Sequence, residues 1–335
     1  MKILNNYFAS ANTSKGFVNE FTSINNPKKK AFMYIIKGGS GTGKSTLMKK
    51  VGEHFFLLGY EIEYFYCSSD KDSLDGVRIA QENIAIVDGT APHVTEANLP
   101  GVDSKIINVG KHILDDVGKY ENELRELVAV KKEHFVNMYS LLNGAGALHN
   151  VKINKLKQIS TQHDVEKIAN ELLVANEITD KNTEGYVRKL FCEAIDKGGL
   201  FTLITKDFDN VVKLNYNEYV SHKVLDLLVK TLGNYGYEVI QFCCILNNEL
   251  VSSVYIPERE ILIRLDDEAN CQDNEVVQEC NSVINKLLSM AGSELNSARE
   301  LHMKIEKCYI ENVDFEGLNK MTAELIDEID TRLTK

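Results

Sequence analysis

Residues 32–37 (FMYIIK) form an apolar run that stops at a glycine-rich loop, the pattern of a buried strand. Residues 45–58 then place Leu47, Met48, Val51, Phe55 and Leu58 at helical spacing, and Gly59 ends the helix. Residues 61–67 (EIEYFYC) read as a second strand, and 84–87 (IAIV), just before Asp88-Gly89, as a third. Strand, helix, strand, strand with short connections predicts an α/β sheet with buried parallel strands.

From about residue 103 the pattern changes. Residues 103–143 and 150–177 are charged, nearly free of proline and patterned every three to four residues, with a Gly-Ala-Gly break at 144–146. This spacing predicts a helical hairpin. The polar stretch 178–185 (ITDKNTEG) reads as the joint between halves.

The second half then repeats the first. Gly59-Tyr60-Glu61-Ile62 through Phe65 and Cys67 matches Gly236-Tyr237-Glu238-Val239 through Phe242 and Cys244, at a constant offset of 177. That offset also pairs Val77, Ile79, Ile84 and Ile86 with Val254, Ile256, Ile261 and Ile263. Upstream, Phe8, Ala11 and Gly16 match Phe191, Ala194 and Gly199 at an offset of 183. Further helical stretches follow at 274–308 and 314–333. The predicted organisation is a sheet core at 1–102, a helical hairpin insertion at 103–180, a second α/β half at 186–268 and C-terminal helices at 269–335.

Composition narrows the class. With 44% hydrophobic and 26% charged residues the chain is globular rather than disordered. A formal charge of −11 leaves no broad positive field for nucleic acid or an anionic membrane surface. The N-terminus lacks an apolar core of signal-peptide length, and no segment approaches 18 uninterrupted apolar residues, so no membrane span is expected. Seven scattered cysteines without a C-x-x-C pair read as reduced thiols of a cytoplasmic protein.

The chemistry concentrates in Gly38, Gly39, Ser40, Gly41, Thr42, Gly43, Lys44, Ser45 and Thr46, which fit G-x-x-x-x-G-K-[ST] in full. Glycines let the backbone fold into a nest of N–H groups around phosphate oxygens, and the following helix presents its positive end. In such a loop Lys44 reaches the terminal phosphates of a nucleotide and the Ser45 hydroxyl ligates Mg²⁺. The partner expected is an acidic residue ending a nearby apolar strand, and Asp88 fits, holding the metal through water. No Glu follows Asp88 to activate water; Gly89-Thr90-Ala91-Pro92-His93 follows instead. His93 either orients water or substrate, or shapes a turn.

Other residues have weaker claims. Ser68 to Gly76 follows the second strand at the edge where open α/β sheets bind ligands, so Asp70, Asp72 and Asp75 either position an acceptor or belong to a solvated loop. Arg78 either neutralises reaction charge or forms a surface ion pair. Ser10 to Gly16 precedes the first apolar strand and is a further nucleotide contact candidate. In the second half the 177 offset lands Lys44 on Ser221 and Gly43 on Val220. Asn215 to Lys223 lacks the glycines a nest requires, and Leu265 replaces Asp88, with Asp266 and Asp267 beside it. One competent site is expected.

The segments FASANTSKGFVNEF, KGGSGTGKSTLMKK, GYEIEYFYCSSDKDSLDG and AIVDGTAPH together resemble a family of bacterial P-loop ATP-binding proteins, chiefly from Firmicutes. The resemblance covers most of 1–110 closely and the remainder by layout. It implies two tandem nucleotide-binding halves, each with a helical appendage, the second degenerate here. It also implies ATP with Mg²⁺ at Gly38 to Thr46 and Asp88, with weaker transfer to Asp70, Asp75 and His93. Three functions remain open at this level: an ATPase coupling hydrolysis to conformational change between halves, a kinase with a small acceptor near Ser68–Gly76, and an ATP-binding switch or assembly protein with negligible turnover; the helical regions are candidate surfaces for a protein partner. The absence of N-K-x-D and L-S-G-G-Q segments speaks against a Ras-like GTPase and a transporter-type ATPase.

Overall fold

The computed structural model describes residues 4–160, 163–203, 210–266 and 274–334. In the first part of the chain the strands are β1 (Leu4–Tyr7), β2 (Ser10–Thr13), β3 (Gly16–Asn19) and β4 (Phe32–Lys37). Helix α1 (Lys44–Leu57) follows, then β5 (Ile62–Cys67), β6 (Asp70–Ile79), β7 (Ile84–Asp88) and β8 (Ser104–Asn108). Two helices, α2 (Glu121–Ile159) and α3 (Val165–Ala175), lead to β9 (Tyr186–Leu190), β10 (Glu193–Asp196), β11 (Gly199–Thr202) and β12 (Asn210–Leu214). The chain then forms α4 (Glu218–Asn234), β13 (Glu238–Cys244), β14 (Asn247–Ile256), β15 (Ile261–Leu265), α5 (Glu275–Ile310) and α6 (Phe315–Leu333).

These elements build an α/β protein of two compact units. Unit 1 comprises Met1–Ser10, Ile24–Asn137 and Ser293–Lys335; unit 2 comprises Ala11–Ser23 and Met138–Gly292. The units are therefore not consecutive pieces of chain. The last helical stretch, expected to accompany the second half, belongs from Ser293 onward to unit 1.

Unit 1 is organised on a six-stranded sheet ordered β1-β5-β6-β7-β4-β8. β4 runs parallel to β7 and β8, and β1 parallel to β5, whereas β6 is antiparallel to both its neighbours. The sheet is mixed, not wholly parallel, because Asp70–Ile79 is a strand where a polar loop was expected. Its outer half is exposed and polar, and only Leu74 onward is buried. Leu47, Met48, Val51 and Phe55 of α1 pack against Tyr34, Ile36, Ile62, Val77 and Ile86, with Leu318, Leu325 and Ile329 of α6 in the same core. Each such side chain contributes roughly 1.5–3 kcal/mol by leaving water. β8 lies beyond residue 102, so the sheet extends past the expected core boundary.

Unit 2 has a five-stranded sheet ordered β12-β15-β14-β13-β9, the same arrangement with, among the described residues, no equivalent of β8. Val187↔Val239 to Leu190↔Phe242 repeats Leu4↔Ile62 to Tyr7↔Phe65, and Ile240↔Tyr255 repeats Glu63↔Arg78. Even the irregularities recur: β5 shifts register after Phe65, and β13 after Phe242. Val224, Leu228 and Leu232 of α4 pack on Val239, Val254 and Ile263, and α3, capped by Asp164, adds Ile168 and Leu173.

The helical appendage differs from expectation. Residues 103–120 form β8 and two short 3-10 turns, and α2 continues through Gly144-Ala145-Gly146 without a break. A Cβ on Gly146 would lie 2.4 Å from Ser14 Cβ and 2.9 Å from the Leu246 carbonyl oxygen. This glycine serves close packing, and helical hydrogen bonding outweighs its modest cost of about 1 kcal/mol. The six described cysteines are all free thiols; Cys271, like Asp267, lies outside the described residues. Among the described residues no helix is long and apolar enough to cross a membrane.

Candidate functional site

β4 ends at Lys37, and its parallel pairing places Asp88 of β7 opposite Ile36 and Asn108 of β8 opposite Lys37. The chain then turns through residues 38–43 into α1. Gly41 (φ 68°) and Gly43 (φ 82°) occupy the left-handed region, where an L side chain is strained, and Gly43 caps α1. The Thr42 hydroxyl donates to the Gly39 carbonyl at 2.8 Å, and the Thr90 hydroxyl donates to the Gly38 carbonyl at 2.8 Å. Both side chains hold the loop at its base. Ser40 is partly exposed and Thr46 is exposed.

The Lys44 ammonium lies inside this turn. Nζ donates to the carbonyls of Gly38 (3.1 Å) and Gly39 (2.7 Å) and stands 3.6 Å from Asp88 Oδ2. Asp88 Oδ1 accepts from the Thr90 N–H at 2.8 Å, which fixes the carboxylate beside the loop. The Ser45 hydroxyl accepts from the Leu74 N–H at 3.0 Å, so β6 positions it while its own proton and second lone pair stay available. The sequence-predicted Lys44, Ser45 and Asp88 thus come together at the amino end of α1, with Gly38 to Gly43 wrapped around the ammonium.

His93 and Asp75 form a second layer. Asp75 is 4% exposed and its Oδ2 accepts from the Ser10 hydroxyl at 3.2 Å; His93 Nε2 is 3.4 Å from the same oxygen. Burial pushes the Asp75 carboxyl up, His93 pulls it down, and the Asp88 charge pushes it up again. The nearby Cys67 thiol is held well above its usual value by burial and by Asp75, so it stays protonated.

Asp70 and Asp72 do not join this group, since both bind the Arg299 guanidinium of α5. Arg78 is neither at the loop nor on the surface: it forms a buried pair with Glu63 at 2.9 Å, both side chains about 5% exposed or less.

Sequence reasoning missed the part of unit 1 supplied by α5 and α6. Burial and the Asp70 charge raise the Glu306 carboxyl, while the nearby Gly41 N–H and the Lys44 and Lys131 charges lower it in part. A Cβ on Gly41 would lie 2.8 Å from the Glu306 carbonyl oxygen, so the helix backbone rests directly on the loop. One turn earlier His302 Nδ1 is 3.0 Å from Lys131 Nζ, and its Nε2 is 3.6 Å from Glu306. Glycine spacing and strand order revealed the loop, but nothing local to residues 299–306 marked what covers it.

In unit 2 the equivalent turn has a different form. Counting by the 177 offset, Glu218 stands where Gly41 does, and it is already the first residue of α4, capped by the Asn217 side chain. Non-glycine residues have converted the second half of the turn into helix, so no nest exists there. No family model, curated protein or solved structure matches the chain.

Proposed function

We propose that unit 1 is a P-loop NTPase domain that binds ATP with Mg²⁺ at Gly38–Thr46 and hydrolyses it slowly, in step with movement of the segment carrying Glu306. The observation that carries this reading is the Lys44 ammonium, held by carbonyls of its own loop and facing Asp88 at the open end of α1. A cation enclosed by a turn with two glycines at positive φ is the arrangement a phosphate-binding loop needs, and it supports this reading. The donor set fits the ligand: loop N–H groups and Lys44 suit phosphate oxygens, and a hydroxyl beside a carboxylate suits a hard cation. Bound Mg²⁺ would neutralise charge developing on the phosphates.

Within this reading Ser45 and, through water, Asp88 would hold the ion, and Lys44 would exchange its carbonyl partners for phosphate oxygens. His93, anchored by Asp75, orients the attacking water in place of the absent glutamate. Phosphate at the loop would crowd the Glu306 backbone and carboxyl that pack beside Gly41, so nucleotide entry displaces Glu306. The kinase alternative would hold its acceptor near Ser68–Gly76, where Arg299 already engages Asp70 and Asp72.

The test measures phosphate release from Mg-ATP and Mg-GTP by wild type and Lys44→Ala, with affinities alongside. Steady ATP turnover that falls about 100-fold or more in folded Lys44→Ala is the expected result. Folded wild type that binds neither nucleotide would overturn the reading.

A further inference from the structure

Unit 2 holds a cluster of ligating side chains that the proposed nucleotide site does not use. Glu218 opens α4, His222 follows one turn later, and His149 comes from α2. Glu218 Oε1 is 2.6 Å from His149 Nε2 and 3.6 Å from His222 Nε2. The three ligand atoms all lie within 4.8 Å of one another. Both imidazoles are buried, His149 at 1% and His222 at 4% exposure. Together with Lys152, Arg264 and Asp266 they line a cavity of about 320 Å³.

The hydrogen bonding around the three is that of a prepared ligand set. His222 Nδ1 is 2.7 Å from the Val251 carbonyl, which can only accept, so Nδ1 carries the proton and the Nε2 lone pair points at Glu218. That Nε2 has no hydrogen-bond partner, although a buried polar atom normally has one. With the ring neutral, Glu218 Oε1 at 3.6 Å faces this nitrogen as a second acceptor, an arrangement that a cation between them would resolve. Glu218 Oε2 meanwhile takes the Lys152 ammonium at 2.5 Å, and Lys152 also donates to Asn281 at 3.0 Å. The carboxylate is thus held through both oxygens, Oε2 by Lys152 and Oε1 by His149 Nε2 at 2.6 Å, and a metal ion would take the place of the proton in that second contact. A carbonyl behind one histidine and an ammonium behind the carboxylate are the outer contacts that aim metal ligands.

We infer that His149, Glu218 and His222 bind a first-row divalent metal ion of the Zn²⁺ type, with a remaining coordination position on the cavity they line. Two imidazoles and one carboxylate match this class and not Mg²⁺ or Ca²⁺, which take oxygen ligands. The second copy of the fold thereby carries a cation site at the turn where the first carries a phosphate nest. Glu218 stands at the position of Gly41, and β15 ends beside it in Leu265 and Asp266 rather than Asp88.

The experiment titrates chelator-treated full-length protein with Zn²⁺ against a chromophoric chelator. One ion per chain is expected, with affinity falling about 100-fold or more in His149→Gln and in His222→Gln. Cys67→Ser serves as the control, because Cys67, Asp75 and His93 also lie within ligating distance of one another, and it should leave affinity unchanged. Folding is checked by melting each variant in the presence of chelator. Should a histidine variant not fold, the wild type decides through its Co²⁺ spectrum, which must show nitrogen and oxygen ligation without thiolate charge transfer. No tight ion in wild type, wild-type affinity in folded histidine variants, loss of the ion in Cys67→Ser, or a thiolate band would each overturn the assignment.

Discussion

The segment carrying Glu306 packs on the loop at Gly41, and the Glu306 carboxyl feels the charges on Lys44 and Lys131. Under the proposed function, phosphate approaching Gly41 would meet this carboxyl as a like charge. Glu306→Gln should therefore tighten Mg-ATP binding by roughly tenfold, the scale of one charged hydrogen bond, as read by calorimetric titration. Unchanged affinity would mean that Glu306 does not compete for the loop. Its neighbour His302 titrates in a readable range. Burial, with help from the Lys131 and Lys44 charges and against that of Asp70, lowers its pKa to about 4. Between the usual histidine value near 6.5 and about 4, the unfolded chain binds a proton that the folded chain refuses. The contribution is full above that window and is lost as pH falls through it. His302→Asn should flatten the decline in melting temperature across this interval, and an unaltered slope would assign the decline to other groups.

Among the elements, β6 was the least legible in the sequence. Ser68 to Gly76 is polar enough to pass for a loop, and only the pairing of Glu63 with Arg78 across the β5–β6 ladder shows why a strand can hold such residues. The glycine turn around Lys44 was legible because its residues are contiguous, seven from Gly38 to Lys44. The unit 2 triad was not, because His149 lies on a different helix from Glu218 and His222. Repetition supplied what local pattern did not, since β14 and β6 occupy equivalent positions. The equivalents of Glu63 and Arg78 are Ile240 and Tyr255, an apolar pair at the same ladder position. Arg78→Ala, which leaves Glu63 buried without its partner, should cost about 3–5 kcal/mol in denaturant unfolding. The double change Glu63→Ile with Arg78→Tyr should recover most of that loss. A double variant no more stable than Arg78→Ala would show that the pair is tied to more than its own ladder.

At the scale of the whole molecule, each unit is assembled from separated stretches of chain. The core under α1 includes Leu318, Leu325 and Ile329, so ending the chain after Asn312 should remove about 5 kcal/mol or more from unit 1, on the order of a domain's entire stability. Unit 2 would lose none of its own residues. Calorimetry of this truncation should show one surviving transition and protease cleavage mapped within 24–137; two retained transitions would mean that α6 is dispensable. The same division of the chain has a consequence during synthesis. Elongation proceeds at about 5–20 residues per second, so Gly38–Lys44 leaves the ribosome many seconds before Glu306 is made. The growing polypeptide therefore carries Gly38–Lys44 for most of its birth without the acid that later packs beside it, and without the α6 side chains that complete the core under α1.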